Sequence, residues 1–364
     1  MTAKVSAVVF ALFFFVAAGA MGGDYVVTKR NERHTGRILK DDASGVELNL
    51  PGGAGKMSFR NVDIKEVYVN PVNPTAVNAI QSFKAGSYDT ALNLLDECVA
   101  PEVEKDIPAL ARPYLHFYRS QCQLRLGRFD DAIASLENFR KAFKTSRLMP
   151  DVAMLLVEAY LGAKKYKEVE TVAAELEKMG GIYELYSILL RGDALLAQGK
   201  NDDAYEKYGK VAASGDEGAR MLKPKAFLGQ ARCLIAKDKT DKAQEMASKA
   251  LEDKEAPEEV LAGAHVIIGH CLLKEGRKLS GEQAKEKLLD AALEFLRVPV
   301  LYSESQPGLA AESLFYAGEC FRQLADFKEL QAVYLKRARE MYSTVIQNHK
   351  ATKWAKMAQE KIGG

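Results

Sequence analysis

The rhythm of apolar and polar residues changes once along this chain. From Asp24 to Val69 the two kinds alternate: Tyr25-Val26-Val27, Arg37-Ile38-Leu39 within His34 to Lys40, Val46-Glu47-Leu48-Asn49-Leu50, Met57-Ser58-Phe59, and Ile64 to Val69. A period of two sends successive side chains to opposite faces, so these stretches read as five short strands, with turns at Asp42-Ala43-Ser44-Gly45 and Pro51 to Gly55. So short a sheet has to curl or close to hide its edges and enclose a core, and a small five-stranded barrel is expected. The run Asn70-Pro71-Val72-Asn73-Pro74 ends the pattern, because each proline drives its predecessor out of helical space. From Thr75 onward no strand pattern returns, and the spacing of apolar residues is helical.

The helical part repeats itself. Leu126-Gly127-Arg128-Phe129-Asp130-Asp131-Ala132 is a helix end, a glycine turn, an aromatic and a small residue early in the next helix. The same phrase recurs as Gly86 to Ala91, Lys164 to Val169, Gly199 to Ala204 and Asp238 to Ala243. A sixth copy, before Ala284, carries an insertion around Leu279-Ser280-Gly281, and a seventh spans Ala325 to Leu330. Helix A of each pair carries a small residue before the turn: Ala79, Ser120, Gly192, Ala231, Gly269 and Gly318, with Val157 as the exception. Helices approach to about 8–10 Å only where side chains are small. A large residue at Ala132 or Gly192 would overpack that contact at a cost of roughly 1–3 kcal/mol. Pro150, Pro257 and Pro307 sit near the starts of A helices, where a missing N–H costs little.

These residues make the chain similar to the tetratricopeptide repeat family, whose unit has a small residue in helix A, an aromatic after the turn and Ala in helix B. The aromatic is present as Tyr88, Phe129, Tyr166 and Phe327 and replaced by Asn201 and Thr240. Equivalent positions lie 35 to 46 residues apart, against about 34 in the family, so helices or loops are extended. The resemblance implies a right-handed α-solenoid of six to seven hairpins. The alternating segment in turn resembles SH3-like or Sm-like β modules that precede helical repeats in some bacterial envelope proteins, and the closing helices resemble those of periplasmic repeat proteins. Glu329 to Asn348 reads as one long helix. Ala351 to Ile362 reads as a cap with Trp354, Met357, Ala358 and Ile362 on one face. The expected organisation is a signal peptide at 1–20, the β module at 21–70, a linker at 71–75, the repeat solenoid at 76–348 and a capping helix at 349–364.

Net charge adds little. The 51 basic and 49 acidic residues leave +2, which gives nucleic acid or an anionic membrane no electrostatic hold. The N-terminus adds more. Lys4, the apolar run Val5 to Val16 and Ala18-Gly19-Ala20 form a secretory leader, with cleavage expected after Ala20 and no cysteine nearby to carry a lipid. The expected location is therefore the periplasm or envelope, with membrane attachment only through an uncleaved leader.

No catalytic constellation emerges. Gly52-Gly53-Ala54-Gly55-Lys56 has Leu50 and Met57 where a phosphate loop needs Gly and Ser or Thr, so it reads as a hairpin turn. Cys122, Cys233, Cys271 and Cys320 each precede their turn by five residues, one packing position repeated four times. With Cys98 in a B helix, they read as free buried thiols, and Cys271 and Cys320 are the pair to test for a bridge. The five histidines form no metal-ligand spacing. No catalytic residue, cofactor or metal is assigned.

Partner binding is assigned to the A helices, whose residues line the concave surface of tetratricopeptide arrays. One row in register reads Phe117, Met154, Leu189, Leu228, Val266 and Phe315. The row four residues on reads Gln121, Glu158, Asp193, Arg232, His270 and Glu319. Phe117, Gln121, Glu158, Leu189, Asp193, Arg232, His270, Phe315 and Glu319 are the groove candidates, and an apolar row beside a polar one suits an amphipathic helix or extended peptide. The Lys and Asn of the family's carboxylate-binding subclass are missing there. The expectation is an exported, non-enzymatic scaffold for protein or peptide partners in cell-envelope assembly or maintenance. A self-associating structural subunit, a homo-oligomer, is the alternative reading, and an accessory ligand-binding protein the next.

Overall fold

A computed structural model describes residues 23–254, 256–302, 306–350 and 352–363. The leader therefore lies outside the described residues.

Five antiparallel strands come first: β1 (Asp24–Thr28), β2 (Arg33–Asp42), β3 (Gly45–Asn49), β4 (Lys56–Phe59) and β5 (Ile64–Tyr68). Their order across the sheet is β4-β3-β2-β1-β5. The bulge in β2 between Ile38 and Lys40 bends this long strand, so that it serves both β1 and β3. Gly45, at φ 135°, lies so close to β4 that a Cβ would stand 2.3 Å from the Phe59 carbonyl oxygen. Among the described residues β4 and β5 do not pair, so the expected barrel is corrected to an open, bent sheet. Closure is unnecessary because the core finds cover elsewhere. Val26, Ile38, Leu48, Phe59 and Val67 share one apolar cluster with Ala76, Ile80 and Leu115 of the first helices.

The junction is built rather than tethered. The Asp24 carboxylate accepts from the backbone N–H groups of Ile38 and Asn70, both at 2.8 Å. Asn73 caps the first helix by accepting from the Ala76 N–H, with Pro74 in its first turn. Farther on, Asp41 of β2 meets Tyr114 and Arg147. Arg147 Nε donates to Asp41 at 3.1 Å and its Nη2 to the Tyr114 hydroxyl at 3.0 Å, while that hydroxyl donates to Asp41. A backbone bond from Ala43 N–H to Thr145 C=O, 2.9 Å, joins the same two regions.

Sixteen helices follow among the described residues. The A helices are α1 (Pro74–Lys84), α4 (Arg112–Arg125), α6 (Met149–Gly162), α8 (Ile182–Ala197), α10 (Lys223–Ala236), α12 (Glu258–Gly276) and α14 (Pro307–Leu324). Their B partners are α2 (Tyr88–Cys98), α5 (Phe129–Ala142), α7 (Tyr166–Met179), α9 (Asn201–Ala213), α11 (Thr240–Ala250), α13 (Gly281–Leu301) and α15 (Gln331–Asn348). The short α3 (Pro101–Glu104) interrupts the first connection, and α16 (Lys353–Gly363) follows α15. From α4 to α12 each A helix packs on its own B helix, on the preceding B helix and on the next A helix, the arrangement of a solenoid.

One joint is repeated five times. The N–H groups of Ser87, Arg128, Lys165, Lys200 and Lys239 each reach the carbonyl five residues back, and the preceding residue in each case bonds three residues back. That is the Schellman helix end, which needs a left-handed residue at its centre. Gly86, Gly127 and Gly199 supply it at φ 71–74°, whereas Lys164 (57°) and Asp238 (63°) adopt it despite their side chains. The two worn repeats therefore keep the geometry and carry strain of roughly 1–2 kcal/mol each. The small-residue positions also have a visible purpose. A Cβ on Gly192, Gly269 or Gly318 would stand 2.6–2.8 Å from the ring of Tyr208, Phe295 or Tyr342 on the paired B helix. All five cysteines are buried and unbridged, and burial raises their thiols, Cys98 and Cys233 to about 11 and Cys122 and Cys271 to about 12.

The face of α16 that packs carries Ala355, Ala358 and half-buried Trp354. Met357 and Ile362, expected on that face, are exposed, because the stack does not extend far enough to cover them.

Candidate functional site

The A helices place the nine groove candidates in register, but they do not all reach solvent. Leu189 and Phe315 are 0% and 3% exposed, and Glu319 is 7% exposed. The apolar row is thus corrected: much of it packs between neighbouring helices. Phe315 sits among the rings of Tyr316, Tyr342 and Trp354. Phe117 is half-buried against the first core cluster.

The polar row divides in the same way. Asp193 accepts from the Tyr208 hydroxyl at 2.6 Å, and Glu319 accepts from the Tyr342 hydroxyl at 2.6 Å. Each carboxylate follows the glycine that admits the ring, so the phenol brought into apolar surroundings finds its acceptor next door. Burial raises both phenols. Burial also pushes the Glu319 carboxyl up, but hydrogen bonds from Tyr342, Arg322 and Lys361 outweigh it and its net shift is downward. His270 lies 5.1 Å from the Phe295 ring and 4.3 Å from that of Tyr316, and its Nε2 is 3.3 Å from Glu312. Asp193, His270 and Glu319 thus serve the joints, while Gln121, half-buried, and Glu158 and Arg232, both exposed, remain on the open face.

The Glu158 side chain is accessible to solvent, yet its pKa is raised, chiefly by desolvation, with Glu259 adding to the rise and Arg125 and Lys225 opposing it. Glu259, Arg125 and Lys225 lie on α12, α4 and α10, so charges from four A helices act on one another across this face.

Between these helices lies a cleft of about 460 Å³ lined by Tyr186, Leu222, Leu228 and Val260, with Arg220, Lys225, Arg232 and Glu259 at its rim. Of the nine candidates only Arg232 lines it. Sequence reasoning missed Tyr186 and Lys225, although the signal was present: each stands three residues before a member of the apolar row, Leu189 and Leu228, where the helix also faces inward. Among the described residues no three potential metal ligands converge, and no helix is long and apolar enough to cross a membrane.

The tetratricopeptide repeat family model matches residues 114–146, which span most of α4, its turn and α5. This segment is a tetratricopeptide repeat. The Schellman joints extend the same architecture on both sides of it. Two solved structures of repeat proteins align with the chain. One is the C-terminal part of a TPR repeat-containing protein from Cytophaga hutchinsonii, at 14% identity over 78% of this chain and 98% of that one, with a TM-score of 0.36. The other is a tetratricopeptide repeat protein from Parabacteroides merdae, at 12% identity over 78% and 97%, with a TM-score of 0.42. No curated protein matches the chain.

Proposed function

We propose that this protein is a non-enzymatic scaffold that binds protein partners on the inner face of its repeats. The observation that carries the reading is the apolar cleft between the A helices, rimmed by Arg220, Lys225, Arg232 and Glu259. Such a surface offers both apolar area to bury and charges that set register, the two requirements of peptide recognition. The leader-like residues 1–20 support export to the periplasm or envelope, with a role in envelope assembly or maintenance.

Site-specific photo-cross-linking in the native envelope tests this. A photoreactive residue at Gln121 or Glu158 is expected to give a discrete adduct with another protein, and one at Glu170 or Lys207, on the α7–α9 side of the array, is expected to give none. Equal adducts from both sets, or none from the inner set, would remove the inner face as the binding surface. Recovery of a chain still beginning at Met1 would remove the export reading.

A further inference from the structure

Resting on that reading, we infer that the cleft between α8, α10 and α12 takes an internal acidic segment of a partner protein, one bulky apolar side chain flanked by carboxylates. The floor is apolar: Tyr186, Leu222, Leu228 and Val260, with Met221 about half exposed at the lip. Gly263 lets α12 approach α10 closely behind that floor: a Cβ there would stand 3.0 Å from Leu228 Cδ2 and 3.4 Å from Arg232 Nη2.

The charges select the occupant. Among the described residues Arg220, Lys225 and Arg232 form no direct ion pair, and Lys225 acts on Glu158 only from farther off. Of the two acids at the cleft, Asp253 is already engaged within the protein. Glu259 instead lies near enough to Glu158 for the two carboxylates to oppose each other. Carboxylates of a bound segment are therefore drawn to the α10 rim. Lys225 and Arg232 are two turns apart, about 10.5 Å along the helix at 1.5 Å per residue. Two separated carboxylates on one chain can meet both cations, and a single headgroup does not span that distance.

Fluorescence anisotropy with the whole chain tests the assignment. The probe is a labelled ten-residue peptide with one Leu or Phe flanked by Glu on both sides, and its comparison is the same peptide with Lys for Glu. The acidic peptide is expected to bind at least tenfold more tightly, and Lys225→Glu with Arg232→Glu is expected to reverse that preference. Equal or better binding of the Lys peptide, unchanged binding in the charge-reversed variant, or displacement of the peptide by a medium-chain fatty acid would overturn the proposal. If cross-links at Glu158 persist in the charge-reversed variant, the inner-face reading stands and only this cleft assignment fails. If no inner position cross-links, the broader reading fails first.

Discussion

The two ends of the solenoid solve one problem differently. A stack of hairpins leaves an apolar face at each end. At the N-terminal end a bent sheet shares its core with α1 and α4 and is pinned by Asp41, Tyr114 and Arg147. The Asp41 and Arg147 side chains are only 5% and 14% exposed. At the C-terminal end a single helix lays Ala355 and Ala358 on the stack and is pinned by Lys361 to Glu319 at 3.2 Å. The first cap is an integral part of the core. The second is thin and leaves Met357 and Ile362 in solvent. Apolar area and buried polar pairing make the difference, because an open sheet can stay open only where helices complete its core.

The largest effect is expected at the first cap. Arg147→Ala leaves the Asp41 carboxylate buried without its cation, at a cost of about 3–5 kcal/mol. Urea denaturation should show a lower midpoint, with sheet and first repeats unfolding together. Independent loss of the sheet alone would break the shared-core picture.

The second cap should yield locally. Glu319→Ala removes the acceptor for Tyr342 and Lys361, a loss of about 2 kcal/mol for charge-assisted bonds. Hydrogen exchange is expected to speed up in residues 353–363 and to stay unchanged in the sheet. The folded Glu319 carboxyl titrates below its ordinary value, so its contribution is present above the unfolded pKa of about 4.3 and is lost as pH falls through the folded value. The second cap should therefore loosen with acid.

Between the caps, Lys164→Gly and Asp238→Gly relieve a left-handed conformation and should each add about 0.5–1 kcal/mol to the stability read by thermal unfolding. Gly127→Ala, at the same joint position, should cost a similar amount. The smallest effect belongs to Glu158→Gln. Its folded carboxyl titrates above its ordinary value, so the ionised form opposes folding. The substitution should raise the thermal midpoint slightly at pH 7, and the gain should vanish as pH falls to about 4, where the unfolded group is also protonated.

The groove was legible in the sequence only in part. Helical register brought Arg232 and Glu158 to the inner face, but the same register assigned Leu189 and Phe315 there, and both are buried. Register states which side of a helix a residue occupies and leaves open how closely the next helix covers it. The strands and joints were legible because local rules set them. Alternation marks β3, and the repeated turn marks the Schellman ends even where Lys164 and Asp238 replace glycine.

Local preference was thus enough for the change of period, the repeat and its joints, since strand, helix and turn propensities act over a few residues. Long-range packing was needed for the rest: that the sheet stays open, that Asp193 and Glu319 serve buried tyrosines, and that Glu158 feels Glu259 of another A helix. Each of those depends on the distance between elements far apart in the chain, and that distance is the accumulated result of the packing angle at every joint between them.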